Sequence, residues 1–386
     1  MINIANAKTP LLSGLLAAGL CFGAAADATQ LRFASGTPPG SMGEIAVDEF
    51  IKAVESHSEG EIQVRGFIAS LLSFMETPDG IRDGIADLGT VLVAYFPSTF
   101  PTTTMFTELT MSLAIQEATP KQSTFAYTGA VSYFVMNHCD ACMDEHHKEN
   151  QVYLGMAGSP PYGLFCTRPV RSQEEFEGRR IRVGGPQWSR WVTEFGGTPL
   201  SIPVNETFEA LSQGVVDCTA HNLPDLLNFM FIDVVTDITM GVPGSTFGGV
   251  GTTINRETWQ RLTEQERESV LYGAAAINAE IAWQYLSEHR EALRQLDERS
   301  DEITMHEPDP SFQEVTRAFQ EADLEAVPER YAQRHGVQNG AEMTEAFTEV
   351  LAKWMDLVED VETRDELVQL YWDEIFSKID VTSYGL

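Results

Sequence analysis

An α/β fold in two similar lobes is predicted by three features of the sequence. The chain opens on a strand, loop, helix, strand pattern, a motif at 76–87 recurs at 206–217, and glycines cluster at two places where the chain would cross between lobes.

Leu31-Arg32-Phe33-Ala34-Ser35 alternates and breaks at Gly36-Thr37-Pro38-Pro39-Gly40, a strand running into a loop. Ala46, Phe50 and Val54 then share one face of a helix, and Ile62-Gln63-Val64-Arg65 alternates again. In the recurring motif, Glu76-Thr77 precedes Gly84 and Asp87 at the same offsets by which Glu206-Thr207 precedes Gly214 and Asp217. Each copy reads as a short helix with Ile81 or Leu211 facing inward, ended by a glycine and turned into a strand. The first crossing is expected within Tyr153 to Cys166, and the second near Phe247-Gly248-Gly249-Val250-Gly251. Beyond Arg256 the chain reads as helical. Val270, Ala274, Ile277, Ile281 and Tyr285 form a stripe, read as core packing, on a helix from about Glu264 to Leu296. Further helices are expected around Ser311 to Gln333, Ala341 to Val358 and Thr363 to Lys378. The expected division is 1–28 as a leader, 29–159 with about 248–290 as the first lobe, and 160–247 with about 291–386 as the second.

The apolar run Leu11 to Ala26, preceded by Lys8, is too short for a membrane span and reads as a secretory signal peptide cleaved after Ala26 or Ala28. Leu20 before Cys21 does not suit lipid attachment. The 386 residues carry 25 Lys+Arg against 57 Asp+Glu, a formal charge of −32, and loss of Lys8 and Asp27 with the leader leaves that charge unchanged. Such a surface repels phosphate backbones, which argues against a nucleic-acid partner. The acidity reads as a solubilising exterior for a salty medium or as a cation-binding surface; the dispersed carboxylates and the lack of a calcium-loop spacing favour the first.

Four cysteines remain in the exported chain, Cys139, Cys142, Cys166 and Cys218, and an even count outside the cytoplasm favours disulfides. The expected pairs are Cys139 with Cys142 and Cys166 with Cys218. Two other readings stay open for the stretch His138 to His147: a zinc site using Cys139, Cys142, His146 and His147, or a redox CxxC. The glycines at 248–251 lack the dinucleotide fingerprint, and Walker A, HExxH and GxSxG patterns are missing, so the sequence offers no catalytic motif.

Gly178-Arg179-Arg180-Ile181-Arg182-Val183-Gly184-Gly185, Gly196-Gly197-Thr198-Pro199, Glu206 and Ala210-Leu211-Ser212-Gln213-Gly214-Val215-Val216-Asp217 together resemble the central signature of the DctP-type solute-binding proteins of TRAP transporters. Asp79 to Gly89, Tyr95 to Pro101 and Val250 to Trp259 support it in order, and the resemblance covers residues 31 to about 300. It implies a clamshell: two α/β lobes joined by a hinge, a ligand cleft between them and a long helix spanning both. It also implies periplasmic capture of a small organic acid and its delivery to membrane permease subunits, with no cofactor and no enzymatic activity. A ligand sensor for a membrane receptor uses the same clamshell and is the first alternative function; a periplasmic redox or metal protein using Cys139, Cys142 and the nearby histidines is the second.

In this family the arginine of the GxKIR element pairs bidentately with the ligand carboxylate, a role that falls on Arg182; a planar guanidinium offers two parallel donors suited to it. The sialic-acid branch carries a second arginine twenty residues earlier, where this chain has Tyr162, and an aromatic where this chain has Val204. Cys218 replaces the glycine of the VDG element, and His221, beside Asn222, stands where the family has asparagine. The ligand-binding candidates are therefore Arg182, Trp188, Tyr162, Asn222, His221 and Tyr95, and the expected ligand is a monocarboxylate, sugar acid or aromatic acid rather than sialic acid. Ala220-His221-Asn222 offers no carboxylate for the cation that some relatives hold there, so no metal is expected.

Overall fold

A computed structural model describes residues 28–386, so the expected leader at Leu11 to Ala26 and Cys21 lie outside the described residues. The first lobe is built on a five-stranded sheet in the order Ile62–Ile68, Thr29–Ser35, Leu88–Leu92, Val250–Asn255, Gln151–Ala157. Its first three strands run parallel, and Val250–Asn255 pairs antiparallel with both neighbours. The second lobe holds a parallel three-stranded sheet, Thr198–Ser201, Arg180–Val183, Cys218–His221, and a four-stranded one, Pro243–Thr246, Pro161–Cys166, Asp237–Met240, Thr304–His306. The chain leaves the first sheet after Ala157 and enters the second at Pro161; it returns between Thr246 and Val250.

The recurring motif is one structural device used twice. Gly84 and Gly214 take left-handed φ values of 71° and 67°, which lets each short helix turn sharply into its strand. The aspartate that follows clamps an arginine on the neighbouring strand. Asp87 accepts from the backbone and the Nε of Arg32 at 2.9 Å each, and Asp217 does the same for Arg180 at 2.9 and 3.1 Å. Strand register matches as well: Ala34 lies opposite Gly89 as Arg182 lies opposite Thr219.

The helix Glu264–Glu298 starts at a capping box of Thr263 and Glu266 and runs 35 residues. Its stripe Val270, Ala274, Ile277, Ile281, Tyr285 is buried as expected, its early turns pack in the first core, and Ala292 and Leu296 pack in the second, so it spans both lobes. Residues 291–386, expected to complete the second lobe, divide instead. Ile303 and Phe312 join the second core, whereas Val327, Tyr331, Phe347, Leu351, Trp354, Leu367 and Tyr371 are buried in the first. The reason is local fit. Gly129 has no Cβ, which would stand 2.2 Å from the Trp354 ring, and the Tyr371 hydroxyl donates to the Phe125 carbonyl at 2.7 Å. The carboxyl-terminal segment is held on the same lobe, where Trp259 donates to the Tyr384 carbonyl at 2.7 Å and the Tyr384 hydroxyl to that of Tyr153 at 2.6 Å.

Candidate ligand-binding site

Parallel strands ending at one edge of a sheet open a crevice there for a ligand. The second lobe offers such an edge at Arg180–Val183, where Arg182 points into the space between the lobes. Its guanidinium is 1 % exposed. Nε donates to the Ile202 carbonyl at 2.8 Å, Nη1 to His221 Nε2 at 2.6 Å, and Nη2 to the Tyr95 hydroxyl at 2.7 Å. A guanidinium carries about five N–H donors, so part of its donor capacity is left over. No carboxylate pairs with it directly among the described residues; Asp225 is reached only through the His221 ring, whose Nδ1 lies 2.7 Å from Asp225 Oδ2. Because an arginine can only donate, His221 Nε2 accepts and Nδ1 carries the proton that goes to Asp225. Burial, with Arg182 beside it, holds the His221 pKa well below the usual histidine value. Burial pushes the Asp225 carboxyl up to about 7, against the opposing pull of Arg182 and of Asn222, whose amide donates to Oδ2 at 2.8 Å.

Tyr95 belongs to the first lobe and also accepts from the Val204 amide at 3.2 Å, so its hydroxyl ties the lobes at the guanidinium. Asn205 reaches the Gly36 carbonyl at 2.9 Å, and Asn228 accepts from the Met42 amide at 2.8 Å. These bonds bridge the lobes around a cavity of about 80 Å3, walled on its apolar side by Met42, Phe74, Leu92, Phe229, Phe247 and Ile277. Since a single water needs roughly 10–15 Å3 on this measure, the space suits a small molecule.

The expected site residues fall into two groups. Arg182, His221, Tyr162 and Tyr95 line the cavity together. Trp188 does not reach it: its ring lies behind Tyr162, stacked at 4.3 Å between centroids with planes 4° apart, and its Nε1 donates to the Gly244 carbonyl at 3.0 Å. Asn222 likewise stands one layer back and acts on Asp225. Asp225 and Tyr285 line the cavity without having been singled out. Asp225 was findable as the first carboxylate after His221, at the start of the short helix Asp225–Asn228; Tyr285 gave no signal distinct from the buried stripe.

Cys139 with Cys142 and Cys166 with Cys218 form disulfides. The second ties the strand Cys218–His221 to Pro161–Cys166, which accounts for cysteine at the position where the resemblance has glycine. With both thiols of the CxxC oxidised and buried, the zinc reading loses its thiolate ligands. His146 is packed between Phe100 and Tyr153, and burial pushes its pKa down to about 3.

Residues 33–333 match the family model of bacterial extracellular solute-binding protein, family 7, also called DctP. Ectoine-binding periplasmic protein TeaA of Halomonas elongata is 25% identical over 187 residues, 46% of this chain and 51% of that protein. The chain spans about half the length of the curated relatives it matches, 41% and 51%. Among solved structures, a TRAP periplasmic solute-binding protein of Bordetella bronchiseptica with bound (R)- and (S)-mandelate aligns with a TM-score of 0.69 at 21% identity, covering 84% of this chain and 99% of that one. A marine metagenome TRAP solute-binding protein from an unidentified microbe, specific for aromatic acids and complexed with metahydroxyphenylacetate, aligns at 0.70 and 19% identity, with 84% and 99% covered. At those identities the likeness speaks for the two-lobed fold, while the family match covers most of the chain. The chain belongs to family 7 of the bacterial extracellular solute-binding proteins.

Proposed function

We propose that this chain is the extracytoplasmic binding component of a TRAP-type transporter, exported by its leader, which captures a small organic acid between its lobes and presents the closed form to membrane permease subunits. The observation that carries this reading is Arg182: a buried guanidinium on the wall of the cavity between the lobes, bonded to an imidazole, a phenol and a carbonyl, and facing no carboxylate of its own among the described residues. A buried cation without a counter-ion is costly, and a ligand carboxylate supplies both the charge and the acceptors that its remaining donors lack. Tyr162 in place of a second arginine limits the ligand to one anchored carboxylate, and the apolar wall suits an aromatic or aliphatic body. Mandelate and metahydroxyphenylacetate, bound by the two aligned proteins, have that form.

A thermal-shift screen over monocarboxylates, dicarboxylates and sugar acids tests it, because a ligand of the folded state raises the melting temperature with occupancy. Aromatic or short aliphatic monocarboxylates are expected to stabilise the protein, and Arg182→Met to abolish the shift. A shift that survives Arg182→Met would refute the anchor.

A further inference from the structure

A carboxylate on Arg182 leaves other polar atoms of the cavity unanswered. Asp225 is 5% exposed; its Oδ2 takes both His221 and Asn222, while its Oδ1 has no partner among the described residues. Tyr162 and Tyr285, 3% and 7% exposed, also line the cavity, and neither hydroxyl has a hydrogen-bond partner among the described residues. Closing the cleft on a ligand made only of a carboxylate and hydrocarbon would bury all three unpaired, the arrangement that folded proteins avoid.

Resting on the reading of Arg182 as carboxylate anchor, we propose that Asp225, with Tyr162 and Tyr285, determines specificity by accepting a hydrogen bond from a hydroxyl, amide N–H or ammonium carried close to the ligand's carboxylate. The site thereby selects 2-hydroxy, 2-amino and lactam acids over plain carboxylic acids. The spacing fits this class. One imidazole ring and two hydrogen bonds, of 2.6 and 2.7 Å, separate the guanidinium from the Asp225 carboxylate, so a ligand that meets both holds its donor only a few atoms from its carboxyl carbon. His221 and Asn222, both bonded to Oδ2, fix the carboxylate's rotation and leave Oδ1 for the ligand. Burial disfavours the Asp225 carboxylate, and a donor at Oδ1 offsets that penalty.

The internal repeat points to the same residue. Tyr95 follows the clamp aspartate Asp87 at the offset by which Asp225 follows Asp217, so each lobe sends the same position of its motif into the cleft. The first lobe's copy serves the anchor, and the second's serves the neighbouring group of the ligand.

Calorimetric titration of the wild type at pH 8, above the Asp225 pKa of about 7, with matched pairs tests the proposal: mandelate against phenylacetate, lactate against propionate, pyroglutamate against cyclopentanecarboxylate. The donor-bearing member should bind at least about tenfold tighter in the pairs that bind, the ratio expected for one hydrogen bond to a charged group. Asp225→Asn turns an amide N–H toward the ligand and should bring the ratio near one while sparing the plain acid. A purely structural role would weaken both members alike and would overturn the proposal. Tyr285→Phe and Tyr162→Phe, which keep the rings, should each lower the ratio and serve if Asp225→Asn fails to fold. Equal affinity within every pair, with binding still lost in Arg182→Met, overturns the donor reading and leaves the anchor standing. Failure of every carboxylate to bind overturns the anchor and this inference with it.

Discussion

Tyr95→Phe removes one oxygen and should cost most of the ligand affinity. The hydroxyl accepts from Arg182 Nη2 at 2.7 Å and from the Val204 amide at 3.2 Å, and both donors belong to the opposite lobe. Its loss forfeits a charge-assisted bond worth about 1.5–3 kcal/mol and a neutral one worth about 0.5–1.5 kcal/mol, all of it in the closed form. With the open form unaffected, the closed state loses about 2–4.5 kcal/mol, and since the ligand is held only after closure the dissociation constant should rise about 30- to 2,000-fold. A water admitted at the vacancy brings the effect to the lower end. The assay is calorimetry with the tightest acid from the screen, paired with stopped-flow fluorescence, since Trp188 lies against Tyr162 and reports the cavity wall. The loss should appear in the dissociation rate, with association changed little. An affinity within twofold of wild type would show that this hydroxyl does not latch the cleft, and a loss confined to the association rate would place its role in encounter.

Asp225, buried, and Glu288, half-buried, are both pushed up to about 7 and hold protons in the fold that the unfolded chain has released, so the stability they contribute is present below about pH 4 and lost as pH rises through 7. Asp217, drawn down to about 2 by Arg180, acts in the opposite sense and is lost below about pH 4. The melting temperature should therefore peak near pH 4, and Asp225→Asn with Glu288→Gln should flatten the fall from pH 4 to 7; a wild-type melting temperature that climbs over that range contradicts the assignment. Removing the Cys166–Cys218 bridge, which closes a 52-residue separation, should cost about 4 kcal/mol against about 2 for Cys139–Cys142 with its separation of 3, measured by denaturant titration of the two double alanine variants. Association of an anionic ligand should quicken as salt rises from low to physiological strength, because a −32 exterior repels it until screened; an association rate that falls with salt would mean that a local positive funnel dominates.

Periodicity and turn chemistry made the sheet-forming units, the recurring motif and the spanning helix legible, because in each case the pattern and the burial it reports are local. The placement of the last helices was not legible. A stripe such as Phe347, Leu351 and Trp354 shows that a helix buries one face, and any apolar face of either lobe would satisfy it; the choice was made by the shape of the partner at Gly129. Tyr285 escaped for a related reason, since a side chain aimed into a cavity has the same helical spacing as one aimed into the core. Trp188 was expected at the wall because it follows Arg182 closely, but the helix Pro186–Glu194 turns it behind Tyr162. Arg182 was reached through a resemblance. What set it apart physically, burial without a carboxylate partner among the described residues, depends on His221 and Tyr95, both remote from it in sequence.

The two lobes repeat one scaffold and diverge where the ligand would lie. At matching register the first lobe has Ala34 opposite Gly89, packed so closely that a Cβ on Gly89 would stand 2.7 Å from the Ala34 carbonyl, while the second has Arg182 opposite Thr219. The charge thus belongs to one lobe alone, and the other answers it with a phenol that arrives on closure. Had both lobes carried arginine, closing them empty would press two buried cations together, and only a dianion would relieve the repulsion; with one arginine and one phenol, a single carboxylate suffices. The acidic exterior acts on a different quantity. Screened within about 8 Å at physiological salt, it governs how fast an anion arrives and leaves the buried pairing with Arg182 to decide how long the anion stays.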